Sequence, residues 1–408
     1  MTTKISWAWR GLLSTLLLAI GMAGTARAEQ TETLVQRGQY LAAAGDCISC
    51  HTVNGGKPFA GGYRLETPFG YLLAPNVTPD AATGIGAWSA DQFYRAMHDG
   101  VNRHGLDMYP AMPYDFFTRV TRDDCDAIYA YLRTVEPVRN SVDVNHLRFP
   151  FNQRWTMAGW RELFFEEGTF KPVPTATASW NRGAYLIEGL AHCSACHSPR
   201  DRLGGIEKHE QFTGAEIEGW FAPNLSSNLY VGLGSWTVAE VVAYLKTGAR
   251  KGVTTAVGPM AEVVHNSTKY LTDSDLSAMA EYLKALPPES PLRTARSAPS
   301  ESKVRGATLY TDHCSACHQA KGRGMPGIFP PLAGNPAIIA SDPGNVLQAI
   351  LQGIPMQNGY VPMPSFASQL SDQEVADIAN YVRTSWGNSA AANATAAEVA
   401  KRRAAATQ

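Results

Sequence analysis

The chain has 408 residues, 45% of them hydrophobic, with 25 prolines and a formal net charge of −1. That length is too great for one small core, so several units or internal repeats are expected. A near-neutral chain without a basic stripe argues against a nucleic-acid partner, and after residue 28 no apolar run is long enough for a transmembrane helix.

The first residues read as an export signal. Lys4 and Arg10 lead into an apolar run from Gly11 to Ala23, and Ala26-Arg27-Ala28 is a small-x-small cleavage site. Residues 1–28 are therefore expected to be removed, with the mature chain in the periplasm, at the periplasmic face of the inner membrane. Without the signal's cations Lys4, Arg10 and Arg27, the charge is about −4.

The pentapeptide Cys47-Ile48-Ser49-Cys50-His51 follows, and it recurs as Cys193-Ser194-Ala195-Cys196-His197 and Cys314-Ser315-Ala316-Cys317-His318. Cys-x-x-Cys-His attaches c-type haem: the two thiols add to the two porphyrin vinyls and the His ligates the iron. Three copies predict three covalently bound haem c groups, with His51, His197 and His318 as proximal iron ligands. A zinc reading needs two more ligands per site in register and finds none.

Each motif follows a helical stretch with a shared opening: Arg37-Gly38-Gln39-Tyr40, Arg182-Gly183-Ala184-Tyr185 and Arg305-Gly306-Ala307-Thr308. Each unit closes with an amphipathic helix whose capping signal is Thr121 with Asp124, Thr272 with Asp275, or Ser371 with Glu374. The closing helices align: Cys125, Leu276 and Val375 share one core position, then Ile128, Met279 and Ile378, then Tyr131, Tyr282 and Tyr381, and then the basic Arg133, Lys284 and Arg383. Cys125, which lies outside the motifs, is thereby read as a small buried hydrophobe.

The first two units share further blocks. Ala74-Pro75-Asn76 matches Ala222-Pro223-Asn224, and Gly86-Ala87-Trp88-Ser89 matches Gly234-Ser235-Trp236-Thr237. The third has Pro330-Pro331-Leu332, whose proline carbonyls could accept the His318 Nδ1–H and fix the ring. The units are placed at 32–140, 177–288 and 303–387. Residues 141–176, rich in aromatics, read as a packed strap; 289–302 as a solvated linker; 388–408 as a flexible tail.

A low-spin electron-transfer haem needs a second axial ligand, usually Met or His. Met112, Met260 and Met363 each lie beside proline shortly before the closing helix, and are assigned that role. Met108 and Met356 compete in the first and third units, and His265 offers a bis-His alternative in the second. The chain shows no substrate-pocket motif, no nucleotide-binding fingerprint and no catalytic triad, so no catalytic residue is expected.

On these motifs and blocks the chain resembles, over about residues 33 to 387, the cytochrome c subunits of membrane-bound periplasmic dehydrogenases: the gluconate 2-dehydrogenase, alcohol, sorbitol and fructose dehydrogenase group. The resemblance implies a mainly α fold of three tandem class I cytochrome c domains, each with one covalent haem c. It implies an electron-transfer subunit of a sugar-acid, polyol or alcohol dehydrogenase complex, not an enzyme on its own. Its partners would be a large catalytic subunit with flavin or pyrroloquinoline quinone and a small chaperone-like subunit. Ubiquinone or a terminal oxidase would accept the electrons, and membrane association would be peripheral. The alternatives are the tri-haem subunit of a molybdenum aldehyde or N-heterocycle hydroxylase, and a stand-alone peroxidase-like enzyme.

Overall fold

The computed structural model describes residues 33–289, 300–356 and 359–406. The expected export signal and most of the expected linker lie outside them.

Three helix pairs organise the chain. The helix over 33–44 crosses Arg122–Leu132, Ala178–Tyr185 crosses Asp273–Ala285, and Ser300–His313 crosses Asp372–Thr384. The shared Arg-Gly opening is explained at these crossings. A Cβ on Gly38, Gly183 or Gly306 would run into the carbonyl oxygen of Ala127, Ala278 or Asp377. It would also lie 2.9, 2.9 or 2.7 Å from the Cβ of Tyr131, Tyr282 or Tyr381. Only glycine lets the backbones approach so closely.

The capping signals act as read. Thr121, Thr272 and Ser371 accept from the backbone N–H of Asp124, Asp275 and Glu374. The full reciprocal box forms in the third unit, through Glu374. In the first two, the carboxylate turns to the opening arginine instead: Arg37 to Asp124 at 2.5 Å and Arg182 to Asp275 at 2.7 Å. Arg305 uses Asp377, one helical turn further on, at 2.8 Å. The basic residue ending each closing helix caps loop carbonyls. Arg133 bonds Gly86, Lys284 bonds Leu233, Gly234 and Trp236, and the fully buried Arg383 bonds Ile338, Asp342, Ser341 and Ala391.

After each of the first two motifs comes a hairpin. Arg64–Thr67 pairs antiparallel with Gly70–Leu73, and Ala215–Ile217 with Trp220–Ala222. An unpaired hairpin edge invites pairing, and the chain covers both. The strap lays Asn145–Leu147 along Gly70–Leu73 as a third strand. At the equivalent edge of the second hairpin, the Asn345 carboxamide accepts from the Phe221 N–H at 2.9 Å and donates to its carbonyl at 3.0 Å.

The first two units share one continuous core, running from Leu41 and Ile128 to Leu186, Leu276 and Met279. The third has its own, built on Tyr310, Leu347, Val375 and Ile378. Residues 144–165 pack around Tyr109, Tyr114 and Trp160, and the Trp160 indole N–H reaches the Leu203 carbonyl at 3.1 Å.

The expectation of a flexible tail over 388–408 is corrected. Ala396–Ala406 is a helix against the third unit's closing helix. Few large apolar residues are needed, because small ones pack closely and polar side chains do the fixing. Val399 is fully buried. The Asn380 carboxamide makes two 3.0 Å bonds to the Ala394 backbone. Arg403 holds Asp372 at 2.9 Å and the Leu370 carbonyl at 3.0 Å.

Candidate haem sites

Each motif forms a single helical turn: Cys47–His51, Ser194–His197 and Ser315–His318. The turn sets both thiols and the His on one short helix. In all three, the His Nδ1 meets a proline carbonyl: His51 with Pro75 at 2.8 Å, His197 with Pro223 at 2.7 Å, His318 with Pro330 at 3.2 Å. This gives the Ala-Pro-Asn block its physical meaning. Its asparagine holds the proline in place: Asn76 accepts from the Thr78 N–H and donates to the Val138 carbonyl, and Asn224 accepts from the Ser226 N–H. Pro330 supplies the same acceptor where the third unit lacks the block.

Burial pushes the basicity of His51, His197 and His318 down, against the raising effect of the proline carbonyl. The neutral ring donates from Nδ1 and leaves the Nε2 lone pair free for a metal.

Sequence reasoning missed a second support. Gly61, Gly214 and Gly324 donate their N–H to the backbone carbonyl of His51, His197 and His318 at 2.8, 2.8 and 3.0 Å. The signal was available in the first two units as Phe59-Ala60-Gly61 and Phe212-Thr213-Gly214, but the spacing from the motif differs and hides it.

The methionines separate from their competitors. Met112 packs against the core that holds Cys47, whereas Met108 packs into the strap's cluster. Met363 packs in the third core with Cys314, bonded to Ile354 by two 2.9 Å backbone bonds, while Met356 is 73% exposed. Met260 packs against the shared core. It sits in the first turn of the helix Pro259–Asn266 rather than in a loop. His265 is exposed, with its Nδ1 on Lys269 at 3.2 Å.

The structure brings the first two motifs together. The helix carrying Met260 packs on Cys47–His51, and Asn266 donates to Ser49 at 2.9 Å. Reciprocally, the helix Tyr114–Phe117 just after Met112 packs on the π-turn Leu186–Leu190 before the second motif. The His192 ring meets Phe117 edge-on at 5.4 Å and the Gly45 carbonyl at 3.4 Å.

Paired thiols on one turn, a ring nitrogen fixed by a carbonyl and a partly buried thioether form a donor set that fits haem c. The fold and these sites define a cytochrome c, and residues 35–136 and 304–386 match the cytochrome c family. Over 94% of its length the chain is 38% identical to the cytochrome c subunit of the quinone alcohol dehydrogenase of Gluconacetobacter polyoxogenes, covering 87% of that protein. It is 37% identical to the gluconate 2-dehydrogenase cytochrome c subunit of Pantoea cypripedii, over 97% of this chain and 95% of that one. It is also 41% identical, over 94% of its length, to a subunit of the nicotinate dehydrogenase of Pseudomonas putida, of which it spans only 34%. The chain belongs to the family of dehydrogenase cytochrome c subunits, which transfer electrons and are not themselves the catalytic subunits. Among the described residues no helix is long and apolar enough to cross a membrane.

Proposed function

We propose that this chain carries three haem c groups and conducts electrons from a catalytic dehydrogenase subunit to a quinone or the respiratory chain. The observation that carries the reading is the threefold repetition of one donor set. Each unit supplies a Cys pair and a His whose Nδ1 rests on a proline carbonyl, and a partly buried Met from each packs against the cores around these motifs. Bound haem would supply a one-electron iron couple. The residues do the rest. Cys47, Cys50, Cys193, Cys196, Cys314 and Cys317 tether the cofactor. His51, His197 and His318 present Nε2, and Met112, Met260 and Met363 offer a soft thioether that favours the reduced metal. The apolar cores exclude water and set the potentials.

The mature protein works in the periplasm at the membrane face, with a large catalytic subunit and a small chaperone-like one. Alcohol, sugar-acid or polyol oxidation is the favoured source of electrons, on the strength of the alcohol and gluconate dehydrogenase relatives. Likeness to the nicotinate dehydrogenase chain supports an N-heterocycle hydroxylase as the second reading. Purification from membranes in mild detergent, with a haem count by mass and a dye-reduction panel of alcohols, sugar acids and N-heterocycles, tests both. Three haems reduced on substrate addition by a co-purifying large subunit is the expected result. A lone chain with a haem that binds peroxide readily would overturn it.

A further inference from the structure

We propose that the C-terminal helix is a clamp holding the third unit on the second, and that Arg402 is the positioning residue that sets electron passage between their two sites. The inference rests on the reading of one haem per unit.

The third unit has a core of its own, and the linker before it lies largely outside the described residues. Among the described residues, its attachment to the second unit includes a set of polar contacts. Asn345 covers the hairpin edge at Phe221, and Gln348 donates to the Glu218 carbonyl at 3.4 Å. Arg402 completes the contact. Its side chain is only 5% exposed, although it projects from a terminal helix. It donates to the Gly219 carbonyl and to Glu398 at 2.9 Å, and lies 3.5 Å from Glu216 and 3.6 Å from Asp342. Two of these partners belong to the second unit's hairpin, one to the third unit and one to the tail. A planar fork with five donors suits such a junction. Gly219 turns the hairpin at φ 78°, which aims its carbonyl outward. Beside the contact lies a cavity of about 410 Å³, whose lining includes Glu218, Gln348 and Glu398. Among the described residues, these polar contacts join the two bodies.

The clamped hairpin is also a wall of the second site. Phe221 is two residues from Pro223, whose carbonyl fixes the His197 ring. Docking thus couples to the second site through a short stretch of strand. The step at stake would move one electron between the second and third sites, one being oxidised as the other is reduced, with no bond or proton exchanged. Arg403, Asn380 and Val399 anchor the tail to the third unit without Arg402. Arg402→Ala should therefore release the second unit and leave the third folded.

The test uses the full haem-loaded protein with Arg402→Ala and, independently, Asn345→Ala. Amide exchange at 215–222 and 344–352 should rise about 10-fold or more, while protection within 375–382 is kept. After rapid partial reduction, equilibration between the second and third sites should slow, with all potentials unchanged. Native exchange in both variants overturns the clamp. Raised exchange with an unchanged electron-equilibration rate overturns the role of Arg402 in electron passage. A chain loaded with fewer than three haems would instead defeat the tri-haem reading, and the exchange result would still decide the docking.

Discussion

The phenol of Tyr40 donates a 2.5 Å hydrogen bond to Asp275, 235 residues further along the chain. Tyr185 returns the contact to Asp124, also at 2.5 Å. Each Asp is already held by the arginine of its own unit, so the two units exchange tyrosines reciprocally. The third unit has Thr308 at the matching position and stands outside the exchange. Tyr40→Phe should destabilise the pair of units by about 1.5 kcal/mol, the cost of one hydrogen bond to a charged group. A double-mutant cycle with Asp275→Asn, followed by urea unfolding, measures the coupling; an additive cycle would remove it.

The same contact has a pH signature. Burial would raise the Asp275 carboxyl, but the Arg182 and Tyr40 hydrogen bonds outweigh it and hold it below its ordinary value. A depressed carboxylate stabilises the fold above its unfolded pKa and loses that contribution as pH falls through the folded value. The urea midpoint should therefore drop below about pH 4, and drop less steeply in Asp275→Asn.

Gly183→Ala places a methyl against the Ala278 carbonyl. We expect a loss of about 3 kcal/mol, the upper range for overpacking, seen in thermal unfolding of the shared core.

Met112→Leu should lower one haem potential and open that iron to cyanide, whereas Met108→Leu should leave both properties alone. A redox titration with a cyanide-binding spectrum on each variant decides between the two methionines. Equal effects from both would send the ligand assignment back to the strap.

Cys125 is fully buried, and burial pushes its thiol up to about 12. It should resist alkylation at pH 8 in the native protein and react at once in urea. Rapid labelling of the folded chain would contradict its place in the core.

Much of this was legible because it is local. The motifs, the caps at Thr121, Thr272 and Ser371, and the aligned core positions follow from spacing alone. Even the proline acceptor for His318 could be named in advance. What was hidden depends on distance in sequence. Nothing near Tyr40 points to Asp275, and nothing near Phe221 points to Asn345. The tail misled for another reason. Its alanines read as weak, yet they let Arg402 and Arg403 approach carbonyls that the sequence does not mark.

The tyrosine exchange also dictates an order of assembly. A chain emerging from its N-terminus presents Cys47 and Cys50 long before Asn266 and Ser267 arrive to cover that helix. Until residues 266–285 have followed, the first unit lacks part of the core it shares with the second. On that side the first motif's helix stays uncovered until Asn266 has followed.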